Sequence, residues 1–120
     1  MALIVRTNDP RLILDQLRNE FEEGLIDSWS YDDDGDFSNV GQWEGKGWFR
    51  PIIEEDLSSI KFIIIGRNTI PMTRMEYSVL HSSFLEVILN HINVSMIEEI
   101  IITKPDSDKD ELETVDINWK

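Results

Sequence analysis

Apolar and polar positions change period along this chain, and each change marks an element. The short run Leu3-Ile4-Val5 predicts a strand over residues 3–7. Apolar residues then recur at Ile13, Leu14, Leu17 and Phe21, a spacing of three to four that puts them on one helical face. Asp9 and Pro10 precede that face, an acceptor for free helix N–H groups followed by a residue that lacks one, and Gly24 supplies a stop. Over 25–31 the period falls to two, with Trp29 and Tyr31 on one side and Ser28 and Ser30 on the other. Asp32-Asp33-Asp34-Gly35-Asp36 is a hairpin turn, because Asp-Gly tolerates the left-handed conformations that such turns require.

The chain is then expected to return antiparallel over 37–43, turn at Gly45-Lys46-Gly47, and form a strand over 48–53. Pro51 makes that strand an edge or a carrier of a bulge, since proline cannot donate to a ladder. Glu54-Glu55-Asp56 turns the chain again, and the unbroken Phe62-Ile63-Ile64-Ile65 within residues 60–66 reads as a central, buried strand. Thr73 and Glu76 have capping-box spacing, which predicts a helix from there to about Ile92. Its stripe comprises Tyr77, Leu80, His81, Phe84, Leu85, Ile88, His91 and Ile92, with Glu86 opposite. Residues 96–103 give a last core strand, polar at Glu98-Glu99 and apolar at its end.

Composition shifts after Pro105. Residues 1–104 form one domain of ordinary size, and residues 105–120 an acidic C-terminal segment. Its first part, 106–111, reads as a solvated loop, whereas Val115, Ile117 and Trp119 alternate with polar residues. That pattern suits a short edge strand or a tail that orders on binding. No internal repeat is visible. The N-terminus carries no basic stretch before a long apolar run, which predicts no secretory leader. No apolar run approaches the length of a membrane span.

Charge changes the picture most. Twenty-four acidic residues against 11 basic ones leave −13 over 120 residues. Nucleic-acid phosphates and anionic membranes would be repelled, while a basic protein would be attracted and steered. Acidity of this size also serves solubility alone. The absence of cysteine excludes disulfides, thiolate metal sites and cysteine nucleophiles, and suits a cytoplasmic setting.

Candidate chemistry is sparse. With Gly35 as position 6 of a calcium loop, positions 1 and 12 are Ser30 and Gly41; with Asp32 as position 1, positions 6 and 12 are Phe37 and Trp43. Both registers fail, so neither calcium nor any other metal or cofactor is expected. His81 and His91 are ten residues apart on one helix, about 15 Å along its axis, too far to share a metal. Both lie in the apolar stripe, where a histidine is a satisfied core residue or, on the sharper reading, a catalytic one. No Gly-x-Ser-x-Gly elbow, His-Glu-x-x-His pair or phosphate-binding glycine loop occurs. The tryptophans Trp29, Trp43 and Trp48 fill the core or, in part, serve as exposed anchors beside the aspartates.

Residues Trp29-Ser-Tyr-Asp-Asp-Asp-Gly-Asp-Phe37, Trp43, Trp48-Phe-Arg-Pro51, and Tyr77-Ser-Val-Leu-His81 through Leu89-Asn-His91 resemble a group of small bacterial proteins of unassigned chemistry. Some of that group resemble immunity proteins encoded beside contact-dependent or other polymorphic toxins. The resemblance covers residues 3–92, supplies no catalytic residues, and implies neutralisation of a toxin.

The expected fold is therefore α+β, a mostly antiparallel β-meander of about four or five strands with two helices on one face. The expected function is non-enzymatic binding of a basic partner, a cognate toxin whose active or substrate-binding surface is occluded. Asp32, Asp33, Asp34, Asp36, Trp43 and Glu44 are the contact residues. Alternatives are an enzyme or ligand-binding domain that uses His81 with a carboxylate such as Asp36, and a structural subunit.

Overall fold

A computed structural model describes residues 2–103 and 117–118. Along the chain come β1 (Ala2–Arg6), α1 (Pro10–Glu22), β2 (Trp29–Tyr31), β3 (Phe37–Asn39), β4 (Trp48–Glu54), β5 (Ser59–Ile65) and β6 (Met72–Thr73). They are followed by α2 (Arg74–His91), β7 (Glu99–Ile102) and β8 (Ile117–Asn118). Six strands form one antiparallel sheet in the order β2-β3-β4-β5-β1-β7. The fold is α+β, with a meander over β2–β5. The sheet has six strands rather than four or five, because β1 returns beside β5 and β7 adds outside β1.

Register fixes the two faces. Residues directly opposite each other share a face, so Leu3, Phe62 and Pro51 lie together, as do Phe37, Phe49 and Ile64. This is the face the helices cover. Phe84 of α2 is fully buried and meets one ring from each of four consecutive strands. Its centroid lies 5.0 Å from Trp29, 5.4 Å from Phe37, 4.8 Å from Phe49 and 5.0 Å from Phe62. Tyr77, Leu80 and Ile88 are buried on the same stripe, as the helical spacing predicts, and Val87 joins them. Leu85 and His91 are only half-buried, at the margins of the stripe. From α1, Ile13, Leu14 and Leu17 enter the core and Phe21 packs at its border.

The caps read from sequence are in place. Asp9 accepts a bond from the Leu12 amide at 3.1 Å, with Pro10 opening α1. Thr73 Oγ1 accepts from the Glu76 amide at 3.0 Å, and Glu76 Oε1 from the Thr73 amide at 2.9 Å. Such a cap stabilises a helix by about 1 kcal/mol. Glu76 also receives Arg67 at 2.9 Å, which ties the loop before α2 to its first turn.

Several strands are shorter than their apolar patterns suggest. β2 covers only Trp29–Tyr31, and β3 stops at Asn39, where turns replace the expected continuation to Trp43. β7 begins at Glu99, because Val94–Met96 is a turn of 3-10 helix. β4 is interior, not an edge. Pro51 is tolerated because β3 pairs only with Trp48 and Phe49, leaving the flank beyond them open. Gly47 is more than a turn residue: a Cβ there would come within 2.9 Å of both Leu80 and Met72. Of the C-terminal segment, Ile117–Asn118 pairs in parallel with β6. The expected loop over 106–111, and Val115 and Trp119, lie outside the described residues. No described helix is long and apolar enough to cross a membrane.

Candidate functional site: the acidic turn and its neighbours

The β2–β3 connection is built by its own first residue. Asp32 Oδ1 accepts from the amides of Asp34 and Asp36, both at 2.9 Å, and the Asp32 amide donates to the Asp36 carbonyl at 3.0 Å. Gly35 closes the turn at φ +86°, a conformation that a side chain disfavours. The four expected aspartates therefore divide. Asp32 is half-buried and organises backbone. Asp36 is 7% exposed and holds a bidentate ion pair with Arg50, Nε to Oδ1 at 2.8 Å and Nη2 to Oδ2 at 3.0 Å. Asp33 and Asp34 are exposed, and their carboxylates make no ion pair among the described residues.

Trp43 and Glu44 lie in the β3–β4 connection, at the other end of β3 from the turn. From Asp36 to Val40 the strand spans about 13 Å, so the expected contact residues form two groups rather than one cluster. Glu44 is exposed, whereas Trp43 is half-buried against the core. Trp29 is core outright, 2% exposed, and its Nε1 donates to Ser83 Oγ at 3.0 Å. Trp48 points to the uncovered face and is half-buried.

Two arginines missed by sequence reasoning border the turn. Arg50 neutralises Asp36, and the Arg18 guanidinium sits 5.2 Å from the Tyr31 ring centre. The Asp36–Arg50 pair follows from register, since extending the Phe37↔Phe49 pairing by one sets these residues opposite each other. The loop of eight residues between β3 and β4 hides that register from sequence inspection.

His81 and Asp36 do not converge. His81 is 1% exposed on the helix-covered face, 4.0 Å from the Tyr77 ring and 5.0 Å from Phe49, with Nδ1 2.7 Å from the Tyr77 carbonyl. Its Nε2 is buried without a partner among the described residues. Burial pushes the imidazole down to about 4, partly offset by the bond to Tyr77. Asp36 reaches Arg50 on the opposite face, so the sheet separates the two groups. His91 is half-buried at the end of α2, with Nδ1 3.8 Å from Glu20. Among the described residues no three His, Cys, Asp or Glu side chains are grouped to hold a metal ion.

No family model, curated protein or solved structure matches the chain.

Proposed function

We propose that this protein binds a basic protein partner, and that it acts as an immunity-type protein that masks the active or substrate-binding surface of a toxin. The observation that supports this most is the pair of exposed carboxylates at Asp33 and Asp34, which make no ion pair among the described residues. They are held on a turn made rigid by Asp32, in a chain of net charge −13. A rigid turn presents charge without the entropy cost of ordering a loop on contact. Glu44 and the accessible part of Trp43 extend the surface past the far end of β3. A standard interface of about 800 Å² per partner is wide enough to reach both groups. Asp32 and Asp36 serve as scaffold for that surface rather than as contacts.

The test begins with the product of the adjacent gene, assayed for toxicity and for binding. Exposed charges act mainly on encounter, so Asp33→Lys with Asp34→Lys should slow association about tenfold at low salt and much less at high salt. Equal neutralisation by wild type and the double variant at all salt concentrations would refute the surface. A neighbour that is neither toxic nor bound would refute the immunity reading.

A further inference from the structure

β7 lies at one edge of the sheet, and past Glu99 little in it blunts that edge. Among the described residues it pairs only with β1, and it contains Glu99 and three consecutive isoleucines, with no proline or lysine within Glu99–Ile102. Ile101 and Ile102 are 39% and 41% exposed. The opposite edge is managed differently: β2 is only three residues long and leads into the acidic turn.

Alternation tells which groups of β7 are free. The Thr7 amide bonds the Ser58 carbonyl at 2.9 Å, continuing the β1–β5 register, so Val5 and Leu3 also direct their backbone groups to β5. Ile4 and Arg6 then direct theirs to β7; the Arg6 carbonyl also accepts from the Glu98 amide at 2.8 Å, one residue out of register, as at a bulge just before the strand. Their partners Ile101 and Glu99 face β1 in return. The N–H and C=O groups of Ile100 and Ile102 therefore point outward.

We propose that this edge pairs with β7 of a second copy, antiparallel about a twofold axis at Ile101, to give a continuous twelve-stranded sheet. In that register both outward-pointing residues of each copy are paired. Ile100 of each copy falls opposite Ile102 of the other, so the outward-pointing residues meet and exchange four backbone hydrogen bonds. The strand is entered through Glu98-Glu99 and continues as Ile100-Ile101-Ile102. Antiparallel self-pairing sets the acidic pairs of the two copies at opposite ends of the contact, whereas parallel pairing would set like charges side by side. Glu99 is already neutralised by Arg6 at 2.8 Å. The acidic β2–β3 turn lies five strand spacings away, about 24 Å, which exceeds the Debye length of about 8 Å at physiological salt. Repulsion between the turns of two copies is therefore screened, and both turns stay free at the outer ends of the sheet.

The chain has no cysteine, which permits a register-specific test. Ile101 faces its own copy in a non-hydrogen-bonded pair, about 4.5 Å between Cα atoms and within disulfide reach. Under mild oxidation Ile101→Cys should form a dimer cross-link rapidly. Ile102→Cys should do so far more slowly, because the two copies of that position lie about 8 Å apart, beyond the Cα separation a disulfide spans. Light scattering of the wild type at about 0.5 mM, a concentration suited to a small, weak interface, should give twice the 14.0 kDa chain mass. Ile102→Pro removes an outward donor without touching the β1 ladder and should restore the monomer with unchanged circular dichroism. A wild type that remains monomeric at that concentration, or cross-linking as fast at Ile102→Cys as at Ile101→Cys, would overturn the proposal. Should Ile102→Pro fail to fold, the cysteine pair still decides.

Discussion

The sheet, with the side chains sealed against it, and the exposed connections at either end of β3 use the same residue types for opposite ends. Under α2, Trp29 is sealed and its indole N–H is spent on Ser83; past β3, Trp43 is half-exposed. Asp36 is locked to Arg50, while Asp33 and Asp34, three and two residues away, project into solvent. Side-chain chemistry does not separate these pairs. Position relative to the sheet does, because burial demands that every polar group find a partner and exposure does not. Mutations in the first region should therefore change stability, and mutations in the second should change encounter.

Phe84→Ala should give the largest effect. It removes the one ring that contacts β2, β3, β4 and β5 together, and it leaves a cavity that four surrounding aromatics cannot close without breaking strand register. The expected loss is about 3–5 kcal/mol, read from urea unfolding. A loss below about 1 kcal/mol would show that the covered face is not the cooperative core.

His81 should make the same region sensitive to acid. Folding lowers its pKa from 6.5 to about 4, so the unfolded chain binds the extra proton between those values. The contribution is complete above pH 6.5 and is lost as pH falls toward 4, about 3 kcal/mol in all. His81→Phe keeps an aromatic ring between Tyr77 and Phe49 and removes the unpartnered Nε2. It should flatten the pH dependence of the urea midpoint in that window, with little loss at neutral pH. An unchanged acid limb would assign the sensitivity to other groups.

Local signals in the sequence carried most of the fold. Asp9-Pro10, the Thr73–Glu76 capping box, the stripe through Phe84 and the Asp-Gly turn each act over a few residues, so each can be read without knowing the sheet. Strand order is not local. Nothing in Leu3-Ile4-Val5 says that β1 sits between β5 and β7, and hence the strand count came out low. Among the candidate contacts, sequence grouped four aspartates by proximity. The structure divides them by what their oxygens touch, and the decisive partner for Asp36 lies 14 residues away on a strand whose register depends on a long loop.

The aspartates give the smallest expected effect and the sharpest form of the comparison. Asp33 and Asp34 hold no ion pair among the described residues, and the turn is organised by Asp32 and Gly35 instead. Reversing both to lysine should shift stability by no more than about 0.5 kcal/mol, the usual range for exposed surface sites. Asp36→Asn keeps the size of the side chain but removes the charge that Arg50 grips with two hydrogen bonds. Hydrogen bonds to charged groups contribute about 1.5–3 kcal/mol. The half-exposed guanidinium can regain water, so a loss near 1 kcal/mol is expected. One neutralised aspartate should thus cost more stability than two reversed ones in the same turn. If the double reversal were the more damaging, Asp33 and Asp34 would belong to the scaffold, and the surface proposed for a basic partner would lose its exposed charges.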